Sequence, residues 1–217
     1  MVSIFEHLDF VENPLYESII ADIGLKQYSI VEDFFSKEDV QLLRQSLLQK
    51  HEEDAFKKAA IGNKLNETIE KSIRGDVILW IDETAANEAE QLFFNKMNDL
   101  ISYLNKTCFL GILHKEFHYA LYPVGTFYKR HIDTFQNDDR RKLSFVCYLN
   151  EDGWLPENGG ELTLYLNENG SDASETIEKS IYPLPGRVVI FESQIIEHEV
   201  KPVNKERLSI TGWLKTR

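Results

Sequence analysis

Cysteine is nearly absent from this chain of 217 residues, which holds only Cys108 and Cys147. Two thiols, each in an apolar stretch, cannot make a disulfide framework and are expected as reduced core residues of a cytoplasmic protein. Long hydrophobic runs are missing as well. No stretch of about 18 apolar residues occurs, so no membrane-spanning helix is encoded. The first ten residues carry neither the basic region nor the continuous apolar region of a secretory leader. Positive charge is scarce: 24 Lys and Arg stand against 36 Asp and Glu, a formal net charge of −12. That balance argues against nonspecific binding to nucleic acid or to an anionic membrane surface. It favours a neutral or basic protein partner. No internal repeat is visible.

The length suffices for one substantial core, and residues 1–217 read as a single domain whose character changes near residue 116. Before that point the pattern is helical. Ser36 is placed to cap a helix with apolar positions at Val40, Leu42, Leu43, Leu47 and Leu48. A second helix spans Glu88 to Leu104, with Leu92, Phe93, Met97, Leu100, Ile101 and Leu104 along one stripe. Residues 51–72 between them show little pattern and are expected to form a mobile or weakly structured connection. Val77–Trp80 reads as a strand or a buried turn. After residue 116 short strands follow one another: 117–122, 143–149, 161–166, 177–182, 187–191, 195–200 and 208–214. Turn clusters such as Asn150-Glu-Asp-Gly153 and Pro183-Leu-Pro-Gly186 separate them. The fold class is mainly β with flanking helices, as a sandwich, barrel or jelly roll, with helical support in about 1–115 and the β core in about 116–217.

The chemistry centres on Tyr128-Lys-Arg-His-Ile-Asp133. In a strand, residues two apart share a face, so His131 and Asp133 present an imidazole and a carboxylate side by side. A His-x-Asp pair alone is weak, since it also occurs at solvated strand ends. Downstream context changes its weight. His198 lies at the end of a strand in Glu197-His-Glu-Val200, and two histidines with one carboxylate form the facial triad of non-haem iron(II) oxygenases. Arg207 follows nine residues later and opens the last strand. Its planar fork suits the far carboxylate of a small diacid whose other end chelates the metal. Of the remaining histidines only His118 falls near the site by pattern, and it is not assigned as a ligand.

Several motifs in order give a stronger indication: Tyr122-Pro123, Gly125 with Tyr128, Arg130-His-Ile-Asp133, Tyr148-Leu-Asn150, Gly159-Gly-Glu-Leu162, His198-Glu-Val200 and Arg207-Leu-Ser-Ile-Thr-Gly-Trp213. Through them, from about Val31 to Leu214, the sequence resembles the prolyl 4-hydroxylase family of 2-oxoglutarate oxygenases, and within it the hypoxia-inducible-factor prolyl hydroxylases and their bacterial counterparts. The resemblance implies a double-stranded β-helix with N-terminal helical support. It implies that His131, Asp133 and His198 bind Fe(II). Arg207 and Tyr148 would hold the distal carboxylate of 2-oxoglutarate, with Thr211 and Trp213 at the same end and Tyr122 near the metal-chelating end. Arg74, Asp76 and Arg141 would position substrate, Asp76 pairing with Arg141. Two stretches depart from the family pattern: Pro123-Val-Gly-Thr126 is short, and 134–142 is unusually charged.

The implied reaction is hydroxylation at C4 of a prolyl residue in a protein, with 2-oxoglutarate and O2 as co-substrates, succinate and CO2 as co-products, and ascorbate as a stimulant. Bacterial relatives make elongation factor Tu a candidate substrate. Two alternatives stand beside this: the same chemistry on a free amino acid or other small molecule, and a non-enzymatic jelly-roll interaction module.

Overall fold

The computed structural model describes residues 11–53, 57–58, 73–134, 140–167 and 176–216. The connection expected over 51–72 lies mostly outside the described residues, as do residues 135–139 of the charged loop. In chain order the elements are α1 (Pro14–Lys26), β1 (Tyr28–Val31), α2 (Lys37–Glu52), β2 (Lys57–Lys58), β3 (Val77–Ile81), α3 (Glu88–Cys108), β4 (His114–Tyr122), β5 (Tyr128–His131), β6 (Arg141–Tyr148), β7 (Leu162–Asn167), β8 (Thr176–Ile181), β9 (Val188–Glu192), β10 (Glu197–Val200) and β11 (Arg207–Lys215).

Each helix starts where local chemistry dictates. The Ser36 hydroxyl accepts from the Asp39 amide while the Asp39 carboxylate accepts from the Ser36 amide, and Asn87 and Glu90 form the same reciprocal cap on α3. These caps satisfy amides that the first helical turn leaves without carbonyl partners. Asn13 caps α1, with Pro14 in the first turn, where no intrahelical donor is needed.

The strands form two antiparallel sheets, in the orders β1-β9-β6-β11-β4-β3-β2 and β5-β10-β7-β8. This is the jelly roll, a double-stranded β-helix. The expected helical support is not only helical: β1, β2 and β3 extend the larger sheet. Tyr28–Val31 pairs with β9 and Val77–Ile81 with β4. Of the two readings of Val77–Trp80, strand or buried turn, the structure forms the strand; β1 and β2, of four and two residues, carry too little periodicity to be distinguished from loops.

Alternation along the central strands separates two cores. Phe117, Tyr119 and Leu121 of β4, Phe145 of β6, Ile190 of β9 and Ile210 and Leu214 of β11 pack with Phe93, Met97 and Leu100 of α3 and Leu43 and Leu47 of α2. The residues between them face the smaller sheet: Ala120 and Tyr122, Val146 and Tyr148, and Val189 and Phe191 meet Leu162, Leu164, Ile196 and Val200. Gly212 falls on the helix side of β11, where a Cβ would come within 2.2 Å of the Glu116 carbonyl oxygen and the Phe117 ring. Only glycine allows these strands to pair there.

Phe93 is the hub of the outer core. It is fully buried, stacks on Phe35 with 5.6 Å between centroids, and meets Phe117 edge-on at 4.9 Å. Phe93→Ala is expected to destabilise the protein by about 3–5 kcal/mol in urea unfolding. A loss below about 1 kcal/mol would show that this cluster does not anchor α3.

Candidate metal and anion site

The interior face of the larger sheet ends in a narrow cavity beneath the smaller sheet, lined by His131, Asp133, His198, Arg207, Thr211 and Trp213 among others. Pairing of β10 with β5 sets His198 opposite His131, which brings together histidines far apart in sequence. The strand expected through Asp133 is shorter than its motif: β5 stops at His131, and Asp133 lies in the bend just beyond. The carboxylate still reaches both imidazoles. Asp133 Oδ1 is 3.5 Å from His131 Nε2, and Oδ2 is 3.6 Å from His198 Nε2. Ligands at right angles around an octahedral ion with bonds of about 2.1 Å lie about 3 Å apart, so one ion can engage all three side chains with little movement. Among the described residues this is the one group of three metal-ligating side chains that converge in this way.

Both histidines are held in the form a metal requires. His131 Nδ1 is 2.8 Å from the Lys129 carbonyl oxygen and His198 Nδ1 is 3.2 Å from that of Ile196. A carbonyl only accepts, so each Nδ1 carries the proton and each Nε2 offers its lone pair. Burial, reinforced by the nearby His131, lowers the His198 pKa to about 4 despite the opposing field of Asp133. Burial of Asp133 acts to raise its pKa. The fields of the neighbouring His198 and His131 and the hydrogen bond from Ser144 outweigh it and hold the carboxyl well below the usual range. The ring of His131 is backed by Tyr128, stacked at 3.7 Å, and the Arg74 guanidinium sits 4.4 Å over the tyrosine ring. Phe191 meets His198 edge-on.

The other end of the cavity holds a charge with no acid beside it among the described residues. Arg207 is 2% exposed, and among the described residues no carboxylate pairs with it. Its guanidinium lies 4.9 Å from the rings of both Tyr122 and Tyr148. Arg207 Nε and the Tyr148 hydroxyl are buried without a hydrogen-bond partner. Burial raises the pKa of both phenols, so Tyr148 remains a donor. Unpaired buried cations and donors are destabilising, and a carboxylate entering here would satisfy them together. Arg207 faces Tyr122 directly across the β4–β11 pairing, and Thr211 faces His118.

One expected pairing is not formed. Asp76 makes a two-point ion pair with Arg74, at 2.8 and 2.6 Å, rather than with Arg141. Arg141 donates to the Asp133 carbonyl and to Glu116 and lies 3.5 Å over the Trp213 ring. Register explains this. Asp76 precedes Val77, which faces Leu121 near one end of β4, whereas Arg141 faces Lys215, which faces His114 at the other. Arg74 lines the cavity beside Tyr128, and Asp76 is buried against it. Sequence reasoning assigned no role to Ser144, Tyr128 or Phe191. Ser144 was recoverable from the alternation that places it with Val146 and Tyr148. His118 proves fully buried between Trp80 and Trp213, and burial lowers its pKa to about 3.

The two buried neutral histidines make stability of the metal-free protein pH-dependent. Unfolded, each takes up a proton below about 6.5; folded, His198 resists to about 4 and His118 to about 3. The unfolded state therefore binds more protons in that window, and stability falls as pH falls, by up to about 1.4 kcal/mol per pH unit for each group. Urea titrations between pH 7 and 4 are expected to show this slope, and His118→Gln to remove about half of it. A flat profile would mean that the histidines titrate normally in the folded state.

Residues 117–215 match the family model described as the 2OG-Fe(II) oxygenase superfamily. A crystal structure of a Pseudomonas putida prolyl-4-hydroxylase is 35% identical, with a TM-score of 0.81 over 93% of this chain and 99% of that one. A Trichoplax adhaerens prolyl hydroxylase, solved in complex with a hypoxia-inducible-factor oxygen degradation domain peptide fragment, is 29% identical, with a TM-score of 0.81 over 93% of this chain and 89% of that one. The hypoxia-inducible factor prolyl hydroxylase of Caenorhabditis elegans is 27% identical over 206 residues, which are 91% of this chain and 28% of that protein. The chain thus spans under a third of the length of the curated relatives it matches. These similarities, with the triad and the buried arginine, establish the family: the chain belongs to the prolyl 4-hydroxylase family of 2-oxoglutarate- and iron(II)-dependent oxygenases.

Proposed function

We propose that this protein hydroxylates C4 of a prolyl residue in a protein or peptide, using Fe(II), 2-oxoglutarate and O2. The observation that carries the proposal is the pairing of the two ends of one cavity: a three-ligand metal site at one end and, at the other, a buried arginine with no acid partner among the described residues. A metal-chelating diacid is the ligand that fits both. His131, Asp133 and His198 would hold the iron on one side, leaving its other positions open. Arg207 and Tyr148 would take the distal carboxylate of 2-oxoglutarate, Thr211 and Trp213 would line that end, and Tyr122 would lie toward the metal. When bound, iron and 2-oxoglutarate supply the oxidising power: O2 is consumed as 2-oxoglutarate becomes succinate and CO2, and one oxygen atom is inserted into the substrate C–H bond.

The protein's own contribution is placement and exclusion of water. Hydrogen bonds from both Nδ1 atoms keep the imidazoles in register with the ion. Val146, Leu162, Phe191 and Val200 make the cavity walls apolar, which strengthens the Arg207–carboxylate attraction. No side chain has to act as a nucleophile or general base. Trp80, 53% exposed, packs against His118 and Trp213 at the edge of the site and offers an apolar platform to an extended peptide. Arg74, Asp76 and Arg141 surround the same region and would set substrate position. Elongation factor Tu is the protein substrate to test first, and ascorbate is expected to sustain turnover.

Succinate release with Fe(II) and ascorbate, with and without elongation factor Tu or proline-containing peptides, tests this. His198→Ala and Asp133→Ala are expected to reduce turnover to background, and modified peptides to gain the mass of one oxygen on proline. Succinate with free proline but no protein would favour the small-molecule reading. Partner binding without succinate, from folded iron-loaded protein, would leave an interaction module.

Arg207→Met separates binding from folding. Losing a buried charge-assisted pair is expected to weaken 2-oxoglutarate by about 2–5 kcal/mol, roughly 30-fold or more in KM. The same change removes an unpaired buried cation, so the cofactor-free protein is expected to become about 1–4 kcal/mol more stable. A variant that loses stability while keeping its 2-oxoglutarate KM would show that Arg207 is structural.

A further inference from the structure

The hydroxyl that holds Asp133 is itself held. Ser144 Oγ lies 2.6 Å from Asp133 Oδ2 and 2.8 Å from Ser193 Oγ, and both serines are shut off from solvent. A serine hydroxyl has one proton to donate. The ionised carboxylate can only accept, so the Ser144 proton is committed to Asp133. The contact between the serines must then use the Ser193 proton. Its direction is fixed: Ser193 donates to Ser144, and Ser144 donates to Asp133. Each bond polarises the next in this dry interior.

The position of Ser193 gives the chain of bonds a second consequence. Ser193 opens the turn between β9 and β10, five residues before His198, and its amide donates to the Lys142 carbonyl oxygen at 3.2 Å. The two hydroxyls therefore tie the bend that carries Asp133 to the segment that delivers His198. Neither sequence spacing nor the metal triad itself calls for a serine there.

We propose that Ser193 and Ser144 form a one-directional relay that reserves Oδ2 of Asp133 for a hydrogen bond and leaves Oδ1 as the single oxygen for the metal, with Ser193 a positioning residue of the metal site. This rests on the metal-centre assignment under Proposed function. A carboxylate with both oxygens free can grip an ion through both, taking a position that a chelating co-substrate needs. The relay prevents that and keeps the carboxylate plane fixed relative to both imidazoles.

Anaerobic Co(II) titration without 2-oxoglutarate, followed by the visible absorption of the bound ion, tests the proposal on wild type, Asp133→Ala, Ser144→Ala, Ser193→Ala and the double serine variant. Circular dichroism and melting of each metal-free protein check that it is folded. Ser144→Ala is expected to weaken Co(II) by about 10–100-fold, the range typical of groups that orient a metal ligand. Ser193→Ala should weaken it several-fold, with the absorption band shifted in the same sense. The double variant should bind like Ser144→Ala alone, because Ser193 acts only through Ser144 and the two effects are not additive. Ser193→Cys, which keeps the volume with a weaker donor, should follow Ser193→Ala and serves if the alanine variant does not fold. Wild-type affinity in both Ser193 variants, or strictly additive losses in the double variant, overturns the relay while leaving the metal centre intact. Failure of wild type to bind Co(II), or unchanged binding by Asp133→Ala, removes the metal-centre assignment itself and the relay with it.

Discussion

Strand β11 is paired along its length, with β4 on one side and β6 on the other. The period of two along such a strand leaves no freedom in which side chain faces which layer. Leu208, Ile210 and Leu214 pack toward the helices, while Arg207, Thr211 and Trp213 reach the cavity. A slip of one residue would turn the arginine toward the helix-side core, where Leu208 now faces, and Leu208 and Ile210 into the site. The same pairing therefore fixes the outer core and the anion end of the site.

The cavity gathers groups that the rest of the interior avoids. Asp133, His198, His118 and Arg207 are all buried within it. The negative charge has a donor: Asp133 accepts a hydrogen bond from the Ser144 hydroxyl. The positive charge has no carboxylate among the described residues, only the Ser209 hydroxyl at 3.5 Å and the faces of two tyrosines. Such an imbalance is tolerated because stacked aromatic faces and a paired β core hold it in place, and a ligand carboxylate resolves it. Stability given up in the empty site becomes affinity for the co-substrate, which is the usual relation between a preorganised site and its ligand.

Much of this was legible before folding. The Ser36 cap and the stripe from Leu92 to Leu104 mark α2 and α3 because capping and helical periodicity are local properties. The α3 helix continues past Leu104 to Cys108. The strands after residue 116 were legible through alternation and turn residues. Where the signal is short, it fails: Tyr28–Val31 has four residues, and its strand character comes from pairing with β9. The run through Asp133 shows the opposite error. A same-face rule for strands brought His131 and Asp133 together, although the strand ends at His131 and the bend achieves the proximity.

By itself the sequence determined which side chains could do chemistry and in what order they come along the chain: His-x-Asp, a later histidine, and an arginine opening the last strand. Those are properties of residue type and spacing. Tertiary structure alone decided which of them meet. It joined Asp76 to Arg74 and sent Arg141 to Glu116, because strand register places residues at ends of a sheet that no local pattern records. It also brought Ser193 to Ser144, and His118 between two tryptophans. The Arg141–Glu116, Ser193–Ser144 and His118–tryptophan contacts depend on pairings between segments distant in sequence, about which a local window carries no information; Arg74 and Asp76 are near neighbours, and register decides only that the aspartate takes this arginine rather than Arg141.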